Sequence, residues 1–215
     1  MRNYFLVAAV VLAVTGCGAT NNYLAKKTKT VEYYRIFDIK TTVDRKAVSK
    51  AASEGLGRNV NNAQETTPIP SSGELPEKAG RFRLEEPFRG TRLAALAGGA
   101  AGVGMRVAKC EEASWTAQAV RDTRGRSGGG SVLRLTACLF PYADGYHLDL
   151  YAVLSKEEGG LFQISQSLVD ATIGTQEQWT EKTFLDIVRS IRNKTGAEIS
   201  LLEAEPELSG TPWLD

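Results

Sequence analysis

Two rows of small and branched apolar residues at every second position most constrain what this chain can fold into. Leu133, Leu135, Ala137 and Leu139 form one row, and Leu148, Leu150, Ala152 and Leu154 form the other. Successive side chains of a strand point to opposite faces, so each row defines a strand with one apolar side. Between them Ala143-Asp144-Gly145 carries a hairpin turn signal. The pair therefore reads as an antiparallel hairpin whose apolar face must be covered. Trp115, Ala117, Ala119 and Arg121, alternating with Thr116, Gln118 and Val120, predict a third strand ahead of it.

Other segments supply the cover. Val31, Tyr33, Phe37 and Ile39 alternate with Glu32, Asp38 and Lys40, a half-buried strand. Asp44 then stands as an N-cap before Val48, Ala51, Ala52 and Leu56 at helical spacing, with Gly57 as the stop. Phe184, Ile187, Val188 and Ile191 form the stripe of a second amphipathic helix, closed by Lys194 and Gly196. Ile164, Leu168, Ala171 and Thr172 suggest a further short helix, Thr175 with Gln178 resembles a capping box, and Ile199 and Leu201 suggest a last strand. The predicted fold is α+β: a mostly antiparallel sheet of about four to five strands, with two or three helices packed on one face.

The expected organisation is a leader at residues 1–16, a tether at 17–30, one α+β domain at 31–203 and an acidic tail at 204–215. Within the domain, residues 61–80 are polar and rich in proline, and read as an exposed loop. Residues 93–105 are rich in alanine and glycine, with Ala94, Gly98 and Gly102 four apart. That stretch resembles one arm of a glycine zipper; the residue-level reading is a close-packed turn or short helix.

The leader carries an address. Arg2 precedes an apolar run from Phe5 to Val14, which is short of the ~20 residues that span a bilayer. The run ends in Val14-Thr15-Gly16-Cys17. This order resembles the lipobox of bacterial lipoproteins, with valine where leucine is commoner. The resemblance implies cleavage before Cys17 and a diacylglycerol and N-acyl lipid on its sulfur and nitrogen. More than one acyl chain holds a protein at a membrane stably. By the same resemblance, Gly18, where a retained lipoprotein often carries aspartate, favours the outer membrane, and the expected place is its periplasmic face. The strand and helix order is also broadly similar to the helix-grip modules of outer-membrane assembly lipoproteins, in pattern only and with no residue motif to transfer.

Net charge is +1, so no overall field points to nucleic acid. Lys26, Lys27, Lys29, Arg35, Lys40, Arg45, Lys46 and Lys50 make the early mature chain basic, and the reading is a solvated face. After Cys17, Cys110 and Cys138 remain, an even pair in an exported chain, which reads as a disulfide.

Catalytic constellations are scarce. His147, the sole histidine, shares a strand face with Asp149 and Tyr151 and reads as exposed, with no GxSxG elbow beside it. Glu85-Glu86, Glu111-Glu112 and Glu157-Glu158 are neighbours that point apart in a strand. No metal-ligand spacing or phosphate loop occurs. The chain reads as a non-enzyme without metal or further cofactor. It is expected to bind an envelope protein partner, with Tyr142, Tyr146, Tyr151, Arg124 and Arg126 as candidate interface residues. Two alternatives stay open: a carrier or sensor of a small apolar or cell-wall ligand, and a cell-wall-acting enzyme. A cavity lined by Phe184, Ile187 and the leucine rows would favour the first. A polar cleft converging on His147, or on two facing carboxylates, would favour the second.

Overall fold

The computed structural model describes residues 27–68, 73–86, 106–122, 131–158 and 176–206. The described elements run β1 (Lys27–Lys40), α1 (Arg45–Gly57), β2 (Gln64–Thr66), β3 (Arg83–Glu85), β4 (Val107–Lys109), β5 (Trp115–Asp122), β6 (Ser131–Tyr142), β7 (Gly145–Glu158), α2 (Gln176–Thr195) and β8 (Glu198–Glu205). The fold is α+β. Its main sheet is antiparallel and has six strands in the order β2-β5-β6-β7-β1-β8, more than the four to five expected. The additional strand is β2, three residues within the polar stretch at 61–80, where no alternation announces it. β1 starts four residues ahead of the expected domain boundary, and β8 continues two residues past it.

Both helices lie where their apolar stripes require. Asp44 caps α1, its side chain accepting from the N–H groups of Lys46 and Ala47 at 2.9 and 3.1 Å. Val48, Ala51, Ala52 and Leu56 of α1 and Phe184, Ile187, Val188 and Ile191 of α2 are all fully buried. They pack in one core with both leucine rows and with Trp115, Ala117 and Ala119. α2 ends at Gly196, which has φ +66° and donates its N–H to Arg192 O at 2.9 Å. The β6–β7 turn needs Gly145: at φ +150° a Cβ there would lie 2.0 Å from Ile39 O.

The opposite face of the sheet, here the outer face, is covered too, which the sequence reading did not anticipate. β3 and β4 form a separate two-stranded ribbon over it. Leu84, Ala108 and Phe82 pack with Tyr151, Val153 and Tyr34, while Ala79 and Phe82 pack with Phe140 and Cys138. β6 is consequently buried on both sides, through Val132, Cys138 and Phe140 as well as through its leucines.

A disulfide joins Cys110, just after β4, to Cys138 on β6, with Cα atoms 5.7 Å apart, inside the ~7 Å reach of such bonds. It ties the ribbon to the sheet. In the loop-entropy account, a bridge across 28 residues restrains the unfolded chain by about 3–4 kcal/mol. Replacing both cysteines by serine should lower stability by about that amount in urea titration; an unchanged midpoint would show that the bridge does not restrain the unfolded chain. The Ala/Gly-rich stretch 93–105, the short helix expected over 164–172, Thr175 and most of the acidic tail lie outside the described residues.

Candidate functional site

Among the described residues, one group of polar side chains converges at one end of the outer face. Strand register places them there. Asp38 of β1 and Phe140 of β6 flank His147 of β7, and Ile36 and Cys138 flank Asp149 one step along. Tyr142 closes β6, and Lys40 closes β1. Arg81 arrives from the segment leading into the ribbon, and Glu203 from β8.

Asp38 is the hub. Tyr142 Oη donates to its Oδ1 at 2.6 Å, and His147 Nε2 lies 3.8 Å from the same oxygen. That second distance is too long for a hydrogen bond. Lys40 Nζ stands 3.6 Å from Asp38 Oδ2, 3.4 Å from Asp144 Oδ2 and 4.9 Å above the Tyr142 ring. The Tyr142 and His147 rings meet edge to face at 5.5 Å. Arg81 grips Glu203 with two hydrogen bonds, 2.6 and 2.9 Å long.

Asp149 is fully buried. Its Oδ2 accepts the Phe82 N–H at 3.0 Å, and its Oδ1 has no partner among the described residues. Burial pushes the carboxyl up to about 6, against the pull of the Phe82 N–H and of Arg81. Burial also holds His147 below its ordinary value, partly offset by Asp38. The His147 side chain is only 19% exposed, so the expectation of an exposed histidine is corrected. What the cluster offers chemically is a buried carboxyl held up by desolvation beside an imidazole that burial keeps from charging. Neither Cys110 nor Cys138 is available as a nucleophile, since they bond each other, and no metal-holding group occurs among the described residues.

The candidate interface tyrosines are also corrected. Tyr142, Tyr146 and Tyr151 are 7%, 7% and 2% exposed. Tyr146 faces the helices and donates to Val43 O at 2.9 Å, Tyr142 bonds Asp38, and Tyr151 lies under Phe82 with ring centroids 5.6 Å apart. Each finds a partner for its hydroxyl or its ring inside the fold, which is what buries it. Arg124, Arg126 and Cys17 lie outside the described residues. The side chains proposed to line a ligand cavity, Phe184, Ile187 and the leucine rows, instead fill one another's space as a continuous core. An open recess of about 310 Å³ lies elsewhere, at the α2–β8 junction, lined by Arg192, Gly196, Ala197, Glu198 and Ile199.

No family model matches the chain, and no curated protein is similar to it. A solved structure described as a conserved protein from Geobacillus kaustophilus is similar over 79% of this chain and 99% of its own, at 11% identity and a TM-score of 0.29. A likeness that slight carries nothing about fold or function.

Proposed function

We propose that this is an exported lipoprotein, anchored through acyl chains on Cys17 at the periplasmic face of an outer membrane. Its domain acts as a non-enzymatic binding or accessory module of an envelope assembly. The anchor half of the reading rests on the order Arg2, apolar run, Val14-Thr15-Gly16-Cys17. The binding half rests on the filled core: with helices on one sheet face and the ribbon on the other, a partner meets surface rather than an interior cavity. That packing speaks against the small-ligand carrier. Anchoring raises the concentration of the domain near an envelope partner, so weak contacts suffice.

Cys17→Ala tests the anchor. The variant should leave the membrane fraction or accumulate with its leader uncleaved, and lose metabolic labelling with palmitate. Retention and labelling like the parent chain would refute lipidation at Cys17. In-cell crosslinking of the parent chain should then capture a small, reproducible set of envelope proteins.

A second reading, a cell-wall-acting enzyme, is favoured by the convergence of Asp38, His147 and Asp149 on one face. It predicts that purified protein releases fragments from cell-wall sacculi and that His147→Gln abolishes the release. The binding reading predicts no release and unchanged partner capture by that variant.

A further inference from the structure

The fold sorts charge differently on the two sides of its sheet. On the ribbon side, arginines stand against carboxylates: Arg81 with Glu203, Arg83 with Glu111, and Arg106 with Glu32. The helix layer is another case. α1 and α2 lie antiparallel, since Asn59 meets Asp186 and Lys182, Gly55 faces Ile187 and Ser190, and Glu54 meets Lys194. Their apolar stripes enter the core, and what they turn outward is basic. Lys46 and Lys50 of α1 and Lys182, Arg189, Arg192 and Lys194 of α2 are all exposed. The carboxylates of the same helices are mostly turned in. Asp186 is buried and bonded to Lys182 and Asn59, Glu181 bonds the buried Arg35, and Glu177 is half-buried. Glu54 is exposed, and it pairs with Lys194.

We propose that this helix face is a docking surface for an anionic phospholipid bilayer, so that the domain lies on the membrane with its ribbon side turned away. The inference rests on the reading of a lipid anchor at Cys17 for the nearness of that membrane, and on charge for the choice of face. The chain from Cys17 to Lys27, where β1 begins, reaches at most ~33–36 Å when extended. α2 is ~30 Å long. A tether of that reach lets the helix layer lie flat and still keeps it near the bilayer. Basic side chains within about 8–10 Å of an anionic surface are attracted to it through physiological salt, and their contributions accumulate. Grouped on one face, these act together, whereas the ribbon-side arginines are matched by their carboxylates. With the helices down, the ribbon side stays available to an envelope partner.

Lysine reactivity on the full, lipidated chain tests this residue by residue. The chain is reconstituted on phosphatidylcholine vesicles with or without about 30% phosphatidylglycerol, trace-labelled with an amine-acylating reagent and read by mass spectrometry. Acylation needs the neutral amine, and a negative surface both covers the amines and keeps them protonated. Lys46, Lys50, Lys182 and Lys194 should label about three- to sevenfold more slowly on the anionic vesicles than on the neutral ones. Lys78, ahead of the ribbon, and Lys109 of β4 are exposed and should label equally on both. High salt should erase the contrast. Lys50→Glu with Arg189→Glu, both at exposed positions, should cut it to about twofold or less at Lys46, Lys182 and Lys194. Equal labelling on the two vesicles, slowing at Lys78 and Lys109 instead, or slowing that persists in the double variant would each overturn the proposal. So would slow labelling already present in detergent solution, which would mean that a second copy covers the face. Flotation with the neutral vesicles scores the anchor separately. A chain that does not float with them lacks the anchor, and the labelling contrast on anionic vesicles still decides the face.

Discussion

Gly55→Ala should destabilise the protein by about 3 kcal/mol, lowering its melting temperature by roughly 6–12 °C. Alanine is ordinarily the better helix residue by about 1 kcal/mol, so propensity alone predicts the reverse. Packing decides the sign. Gly55 sits where α1 crosses α2, and a Cβ built on it would lie 2.5 Å from Asp186 O, 2.6 Å from Ile187 Cα and 2.9 Å from Ser190 Cβ. Two of those three atoms are backbone, so no rotamer change makes room, and the helices must separate. Separation would disturb Val48, Ala52, Ile187 and Val188 behind the contact, and the bridge in which Asp186 accepts from Asn59 and Lys182 at 2.7 Å beside it. Gly57, two residues on, supplies the control. A Cβ there meets nothing within 4 Å, so Gly57→Ala should leave stability unchanged or raise it by up to about 1 kcal/mol. Thermal unfolding of both variants tests the argument. Equal melting temperatures would mean that the helix crossing is looser than the structure has it.

Much of this architecture was legible because it obeys a period. The leucine rows mark β6 and β7, Asp44 and the apolar spacing mark α1, and the stripe through Ile191 marks α2; each lies where the pattern puts it. The ribbon was not legible for a physical reason: Arg83–Glu85 and Val107–Lys109 are three residues each, too short to show alternation. A signal for it did exist on the sheet. Val132, Cys138 and Phe140 fill positions between the leucines of β6, and a nearly continuous apolar run marks a strand buried on both faces.

The candidate site shows a different limit. Alternation separates apolar from polar positions, but it does not tell a polar position in water from one under a cover. Asp149 and His147 alternate with leucines and so read as solvent-facing, yet Asp149 is fully buried and His147 half-buried. The convergence of Asp38, Arg81, His147 and Glu203 depends on four separate segments meeting: strand order brings three together, and the packing of the segment ahead of the ribbon brings Arg81. The tyrosines near the hairpin misled in the complementary way, since a large ring with a polar tip suits an interface and a satisfied core position equally.

Arg35 is the sharpest instance, and it carries the second large effect. In sequence it belongs to a run of basic residues and reads as solvated; in the fold it is fully buried on the helix-facing side of β1. Its Nη1 donates to Tyr34 O and Glu205 O at 2.7 Å, and its Nη2 to Glu181 Oε1 at 2.5 Å. Burial lowers the Arg35 pKa and raises that of Glu181, in each case against the attraction of the partner. Desolvation thus outweighs pairing for both ions, and the bridge itself contributes little net stability. Breaking it is another matter. Glu181→Leu strands a buried guanidinium and should cost about 3 kcal/mol, the low end for such losses because Glu181 is 30% exposed and water can enter. Arg35→Met should cost less, because the remaining carboxylate can turn to solvent, although Glu205 O loses its donor. The double variant Arg35→Met with Glu181→Leu should recover most of the loss, since apolar packing replaces two dehydrated charges. Urea unfolding of the four-member cycle decides the matter. Strict additivity of the two single losses would mean that the two charges do not act on one another. A coupling in which each single change is worse than the double would make Arg35 and Glu181 a matched pair, tolerated together and damaging apart.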